Sequence, residues 1–189
     1  MKRLLRYTIV LHHCETCELS AAAPLALQAL ALLEPLGKTA LGTVTTVMLN
    51  LAGILEDHGH YCAAVRLCQL AVESANATPV RVVCLTQLAN LSRLQGQYPQ
   101  AEILYRQALA IAEAAAATDA YAVATALNGL GVVYKYQGRY DEAEPLYRRA
   151  LQLTEQAVGS DHPDVASIYH NLGGLEHARG LSYGEPLAR

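Results

Sequence analysis

The stretch NGLGVVYKYQGRYDEAEPLYRRAL, residues 128–151, decides how this chain reads. Leu127, Leu130, Gly131 and Tyr134 recur at three- and four-residue intervals, which puts them on one face of a helix. Gly138 and Tyr140 mark a turn. Ala143, Tyr147, Ala150 and Leu151 mark one face of a second helix. The unit is a helical hairpin with an apolar stripe that it cannot bury alone, so neighbouring hairpins must stack on it.

The rest of the chain carries copies of this unit. Gly96 and Gly138 are 42 residues apart, as are Tyr98 and Tyr140, Ala101 and Ala143, Tyr105 and Tyr147, and Ala108 and Ala150. Leu172, Gly173 and Gly180 continue the spacing from Leu130, Gly131 and Gly138. Gly59, Tyr61, Ala64, Leu67 and Ala71 precede Gly96, Tyr98, Ala101, Leu104 and Ala108 by 37. One shift that aligns five residues at once points to an internal repeat.

Composition agrees with closely packed helices. Hydrophobic residues make up 52% of the 189, and Trp and Phe are absent. Alanine lets backbones approach and has the best helix propensity. A net charge of −3 gives no general nucleic-acid footprint. No apolar run reaches the roughly 18 residues that a membrane span needs. The start, MKRLLRYTIVLHHCETCELSAAA, reads poorly as a signal peptide, because Arg6 interrupts the apolar run and His12, His13, Cys14 and Glu15 follow it. Five cysteines without a repeated pattern do not form a disulfide framework, so a reducing cytoplasm is the expected setting.

The units are expected at about 2–37, 43–76, 80–117 and 120–159, with a partial unit at 163–189, all in a single array over 1–189. Unit 1 has the faintest pattern, and its Pro24, Leu25, Ala29 and Leu30 match Pro145, Leu146, Ala150 and Leu151. Turns are expected at His58-Gly59-His60, at Gln95-Gly96-Gln97 and at Gly138. The link Gly159-Ser160-Asp161-His162-Pro163-Asp164 should end one helix and cap the next, with an Asp close to the cap. Glu185-Pro186-Leu187-Ala188-Arg189 echoes Glu144-Pro145-Leu146-Tyr147-Arg148, so the sequence stops at the beginning of a helix. Either the native protein is truncated here or these repeats belong to a longer array, and because repeat stacks need a polar terminal cap the longer array is the expectation.

The 42-residue spacing, the phrase ALNGLGVVYKYQGRYDEAEPLYRRALQLTEQAVGSDHPDVA and the following NLGGLEHARG resemble the tetratricopeptide repeat of kinesin light chain type. The resemblance covers about three quarters of the chain, is closest in units 3 to 5, and weakens toward unit 1. It implies an all-α, right-handed superhelical solenoid of antiparallel helix pairs. It also implies a concave groove, lined by the first helix of each pair, that takes an extended peptide or a partner helix. It implies no catalysis and no cofactor.

Groove positions follow from the apolar ones, since they lie on the other side of the same helix. They are Val83, Thr86, Asn90 and Arg93 in unit 3, then Thr125, Asn128, Val132 and Lys135 in unit 4, then Ser167, His170, Gly174 and His177 in unit 5. Asn90, Arg93, Asn128, Lys135, His170 and His177 form an amide-rich, cationic or titratable stripe without a carboxylate. Amides bond a peptide backbone in both directions, and Arg and Lys make charge-assisted bonds to carboxylates. Unit 2 instead offers Thr46, Leu49, Gly53, Glu56 and Asp57. The expected partner is a protein segment that is extended and acidic, seated toward the C-terminal half. The alternative reading of these residues is an ordinary solvated helix face. Tyr136 stands at the groove edge, where it either stacks on a ligand or simply packs.

Two other readings concern different chemistry. Cys14 and Cys17 form a C-x-x-C beside His12 and His13, and the repeat alignment puts them near His58, His60 and Cys62 of the next turn. These residue types suit a metal-responsive zinc site or a dithiol redox role, yet a lone C-x-x-C without a second matched pair is weak evidence, and packing cysteines with solvated histidines explain it as well. The exposed ends of the stack suggest self-assembly into a homo-oligomer. Cys68 occupies the place of Tyr105 and Tyr147 and reads as core, and Cys84 reads as packed. No Ser/His/Asp set and no phosphate-binding loop can be picked out.

Overall fold

The computed structural model describes residues 41–180, except 58, 76 and 116–118. Unit 1, with Cys14 and Cys17, lies outside the described residues, as do His58 and the segment 181–189. Seven helices follow in order among the described residues. They are α1 (Leu41–Asp57), α2 (Tyr61–Ser74), α3 (Thr78–Leu94), α4 (Tyr98–Ala114), α5 (Ala120–Tyr136), α6 (Tyr140–Val158) and α7 (Pro163–Ala178). The sequence places these helices to within one or two residues at most ends.

Each odd-to-even turn is built the same way. Gly59, Gly96, Gly138 and Gly180 have φ between 73° and 78°, a left-handed conformation that glycine adopts without a Cβ clash. At the α3 turn, Gln97 N–H donates to Ser92 O at 2.9 Å and Gly96 N–H donates to Arg93 O at 2.9 Å. At the α5 turn, Arg139 N–H and Gly138 N–H do the same to Tyr134 O and Lys135 O. This pair of bonds satisfies carbonyls that a helix end would leave open. After Gly59, Gly96 and Gly138 the next helix starts two residues on, so these hairpins are tight.

Between hairpins the helix starts differ. Asp119 caps α5 by accepting from Tyr121 N–H at 2.9 Å. Gly159 ends α6 with φ 87°. The residue that caps α7 is His162, not an aspartate, and its Nδ1 accepts from Asp164 N–H. Pro163 opens that helix, where a missing N–H costs nothing.

Packing extends the hairpins into a stack. The helices of each pair pack on one another, and α2, α4 and α6 each pack on the next hairpin. The odd helices also meet directly, α1 with α3, α3 with α5 and α5 with α7, while contact between the even helices is slight. The odd helices therefore form the inner layer and the even helices the outer layer. One core runs from Ala52 to Leu175 through this stack. Tyr105 and Tyr147 are its largest fully buried side chains. Burying an aromatic of this size contributes about 1.5–3 kcal/mol. Cys68 and Cys84 are buried, and burial pushes their thiols up to about 12 and about 11. Two glycines make room for the tyrosines. A Cβ on Gly131 would come within 2.8 Å of the Tyr147 ring, and one on Gly129 would collide with Tyr105.

Charged side chains lace the seams. Between α4 and α5, Glu102 binds Arg139 at 2.8 Å and Arg106 at 3.0 Å, and the Arg139 guanidinium lies 3.8 Å over the Tyr134 ring. Between α6 and α7, Arg179 joins Glu144 and Asp141, while Arg148 braces Glu144 at 2.8 Å. Glu102 and Glu144 correspond at 42 residues, as do Arg106 and Arg148. No helix among the described residues is long and apolar enough to cross a membrane.

Candidate functional site

The inner layer presents the stripe on α3, α5 and α7. Asn90, Arg93, Asn128 and Lys135 are half-buried, while His170 and His177 are exposed. Thr86 departs from the expected groove line, for it is only 7% exposed. Its short side chain ends beneath the flanking helices, and its hydroxyl has no hydrogen-bond partner among the described residues. Asn128, at the equivalent place, is longer and reaches the surface.

Both amides are oriented by the protein. Asn90 Oδ1 accepts from the hydroxyl of Tyr105. Asn128 Oδ1 accepts from Asn171 Nδ2 at 3.0 Å, across the α5–α7 gap. Each amide carbonyl is thus engaged within the protein. Burial raises the Tyr105 hydroxyl to about 12, so it remains a donor to Asn90.

The charges are graded along the turn side. Glu56, Arg93, Lys135 and His177 each stand three residues before a turn glycine. Glu56 has its pKa raised by burial and by Asp57, against the lowering influence of Arg93. Arg93 is therefore close enough to feel a carboxylate of the preceding hairpin. Its Nε is buried with no hydrogen-bond partner among the described residues. Lys135 makes no ion pair among the described residues, and its Nζ hangs over Gly174, 3.1 Å from where a Cβ would sit.

At the other end of the stripe, α5 and α7 enclose a cleft of about 200 Å³ lined by Tyr121, Thr125, Asn128, Thr154, Asp164 and Ser167. A carboxylate stands beside the six-residue stripe here. Asp164 enters the cleft and accepts from the Tyr121 hydroxyl, which raises the Tyr121 pKa. Helix α7 begins at Pro163, so its first turn carries Asp164 against the start of α5. Tyr136 is 59% exposed and stacks on Tyr98 at 5.4 Å, so one face of its ring is already used.

Sequence reasoning missed Asn171, Tyr121 and Asp164 as site residues. Asn171 takes the place of Gly129, one position around the helix from the stripe, and only the crossing of α5 and α7 brings it to Asn128. Of the expected cysteine–histidine cluster, the described members are His60, half-buried, and Cys62, exposed. No group of metal-ligating side chains occurs among the described residues.

Stacked helical hairpins with one repeated turn and two layers define a repeat solenoid. Two profiles of the tetratricopeptide repeat family match this chain, at residues 122–181 and 81–119. Together they take in more than half of it, and the chain belongs to the tetratricopeptide repeat family. BtubC (BKLC) from P. vanneervenii superimposes with a TM-score of 0.75 at 22% identity, over 86% of this chain and 69% of that one. Kinesin light chain nearly identical TPR-like repeats of Podosopora anserina, in variant and parent form, give TM-scores of 0.67 and 0.57 at 20% and 19% identity. Each covers 98% of this chain and 91% of its own. No curated protein matches the sequence. The fold is that of a kinesin light chain-like, all-α repeat solenoid. Such repeats are protein-interaction scaffolds and are generally non-catalytic.

Proposed function

We propose that the inner layer of this array captures an extended, acidic segment of a partner protein, without catalysis. The whole chain is read as one array, of which α1–α2, α3–α4 and α5–α6 are successive units and α7 opens another, working in the cytoplasm. The observation that carries the reading is that the Asn90 and Asn128 carbonyls are engaged by Tyr105 and Asn171, which leaves their N–H2 groups as the free donors of the two amides. Lys135, with no ion pair among the described residues, adds a cation between them and His177. Donors and cations suit a ligand rich in carbonyl and carboxylate oxygens. Asp164 and Glu56 bound this stretch at opposite corners, so the ligand's acidic groups belong near Arg93, Lys135 and His177.

The test uses a fluorescent, aspartate- and glutamate-rich dodecapeptide and its amide counterpart. Lys135→Ala should weaken the acidic peptide by about 0.5–2 kcal/mol and flatten its salt dependence. Arg93→Ala should act in the same direction but less, because Glu56 already offsets part of its charge. Equal affinity for both peptides, indifferent to salt and to both substitutions, sinks the reading.

A further inference from the structure

Two clefts between successive inner helices occupy equivalent places in the repeat. The first, of about 40 Å³, lies between α3, α4 and α5, and apart from Thr78 and Asp119 its lining is apolar. The second is the cleft of about 200 Å³ between α5, α6 and α7. Pro79, Val83, Ala112 and Ala122 line the first, and the residues 42 positions on, Tyr121, Thr125, Thr154 and Asp164, line the second. The repeat keeps the cleft and exchanges four apolar side chains for three hydroxyls and a carboxylate. Among the described residues no side chain of α6 or α7 lines the first cleft, although both helices follow it in the array. A later hairpin therefore does not fill this place.

The hydroxyl protons of the second cleft are committed within the protein. Tyr121 donates to Asp164, Thr125 donates to Tyr121 O at 2.9 Å, and Thr154 donates to Ala150 O at 2.8 Å. What each hydroxyl still offers is a lone pair. Asp164 adds a carboxylate, and the Asp119 carboxylate stands close enough to act on the Tyr121 hydroxyl. Asp164 pairs with no Lys or Arg among the described residues. Its neighbour is His162, whose Nδ1 lies 3.6 Å from the carboxylate and accepts from Asp164 N–H. A ring nitrogen that accepts carries no proton, so the imidazole is neutral in this arrangement. Asn128 and Ser167 are the remaining side-chain donors of the lining. The cleft thus gathers acceptors and negative charge, and it lacks a cation.

We propose that this cleft seats a lysine ammonium of the bound segment. An ammonium brings three N–H donors on a slender stem, which suits lone pairs converging from three helices. A guanidinium asks for an open carboxylate edge, and one oxygen of Asp164 already takes the Tyr121 proton. The proposal rests on the reading that the inner layer captures an extended segment, and it adds a basic residue to that acidic segment. Thr125 precedes Lys135 by ten residues on α5. That is about 15 Å of helix, so at least about four extended residues separate the lysine from the carboxylate that meets Lys135.

The test uses fluorescent aspartate- and glutamate-rich dodecapeptides in which one lysine steps through the sequence, with a matched set carrying acetyl-lysine. Binding to the full chain is read at pH 8, where histidine is neutral. At its best position lysine should bind about three- to tenfold tighter than acetyl-lysine. Asp164→Asn should abolish that preference, as should Thr125→Val combined with Asp164→Ala. The double variant copies Val83 and Ala122 of the first cleft, side chains this fold already accepts there, and unchanged circular dichroism will show that the fold is kept. Lys135→Ala should weaken the peptides of both sets, yet lysine should remain preferred. No preference at any position, or one that survives Asp164→Asn, overturns the inference, while weakening by Lys135→Ala would still uphold the groove. A preference that needs Asp164 but ignores Lys135 and salt upholds the cleft and sinks only the acidic groove. Displacement of the lysine peptide by micromolar n-butylamine would give the cleft to a free amine and overturns its role in holding a segment.

Discussion

Tyr105 and Tyr147 stand at the same place in successive hairpins, and both are fully buried. Both rings lie against a glycine of α5, but Tyr105 meets Gly129 of the following hairpin and Tyr147 meets Gly131 of its own. Their hydroxyls differ too. Tyr105 donates to Asn90, whereas the position 42 residues on is Val132, and the Tyr147 hydroxyl has no partner among the described residues. The repeat therefore copies the buried ring from unit to unit, while its glycine neighbour and its polar partner are settled residue by residue.

The largest expected effect tests the shape half of this comparison. Gly129→Ala should destabilise the fold by about 1–3 kcal/mol, since its Cβ would collide with a ring that core packing holds in place. Gly173→Ala should instead stabilise by up to about 1 kcal/mol, through helix propensity at a position where a Cβ meets nothing among the described residues. Urea unfolding midpoints decide it, and equal shifts in the two variants would erase the distinction between the closed and the open position.

The polar half comes next. Tyr105→Phe should cost about 1 kcal/mol, because Asn90 loses its buried donor. Tyr147→Phe removes a hydroxyl that bonds nothing among the described residues, and should be neutral or slightly stabilising. A matching loss in both variants would mean that the Tyr147 hydroxyl has a partner after all.

The smallest effect concerns the seams. Hydrogen bonds from Arg179 and then Arg148 hold the Glu144 carboxyl below its usual 4.5. A lowered carboxylate pKa gives stability that is complete above the ordinary range and is lost as pH falls through it and below. Glu144→Gln should therefore lose under about 1 kcal/mol at neutral pH, and less as the solution is acidified. A loss that stays constant down to pH 3 would remove the seam from the comparison.

The hairpins were legible because each is written twice over, by apolar periodicity and by a glycine at every tight turn. Gly96 and Gly138 fix turns that only a left-handed residue closes without strain, and Leu130 with Tyr134 fixes the buried side of α5. The groove was only half legible. Asn90, Arg93, Asn128 and Lys135 lie on the predicted face because helix geometry sets that face locally, yet Thr86 on the same line is buried. Whether a side chain clears its neighbours depends on its length and on the flanking helices, which no single helix encodes.

By itself, then, the sequence determined the helices, their turns, the buried stripes and the stacking, since these follow from residue spacing along one hairpin. Only the tertiary structure decided that Asn171 meets Asn128, that Asp164 enters the α5–α7 cleft, that Arg93 is felt by Glu56, and that Gly131 is covered by the Tyr147 ring while Gly173 meets nothing among the described residues. Those relations join residues of different units. They are set by how far helices approach and at what angle they cross, so a period read along one strand of sequence is blind to them.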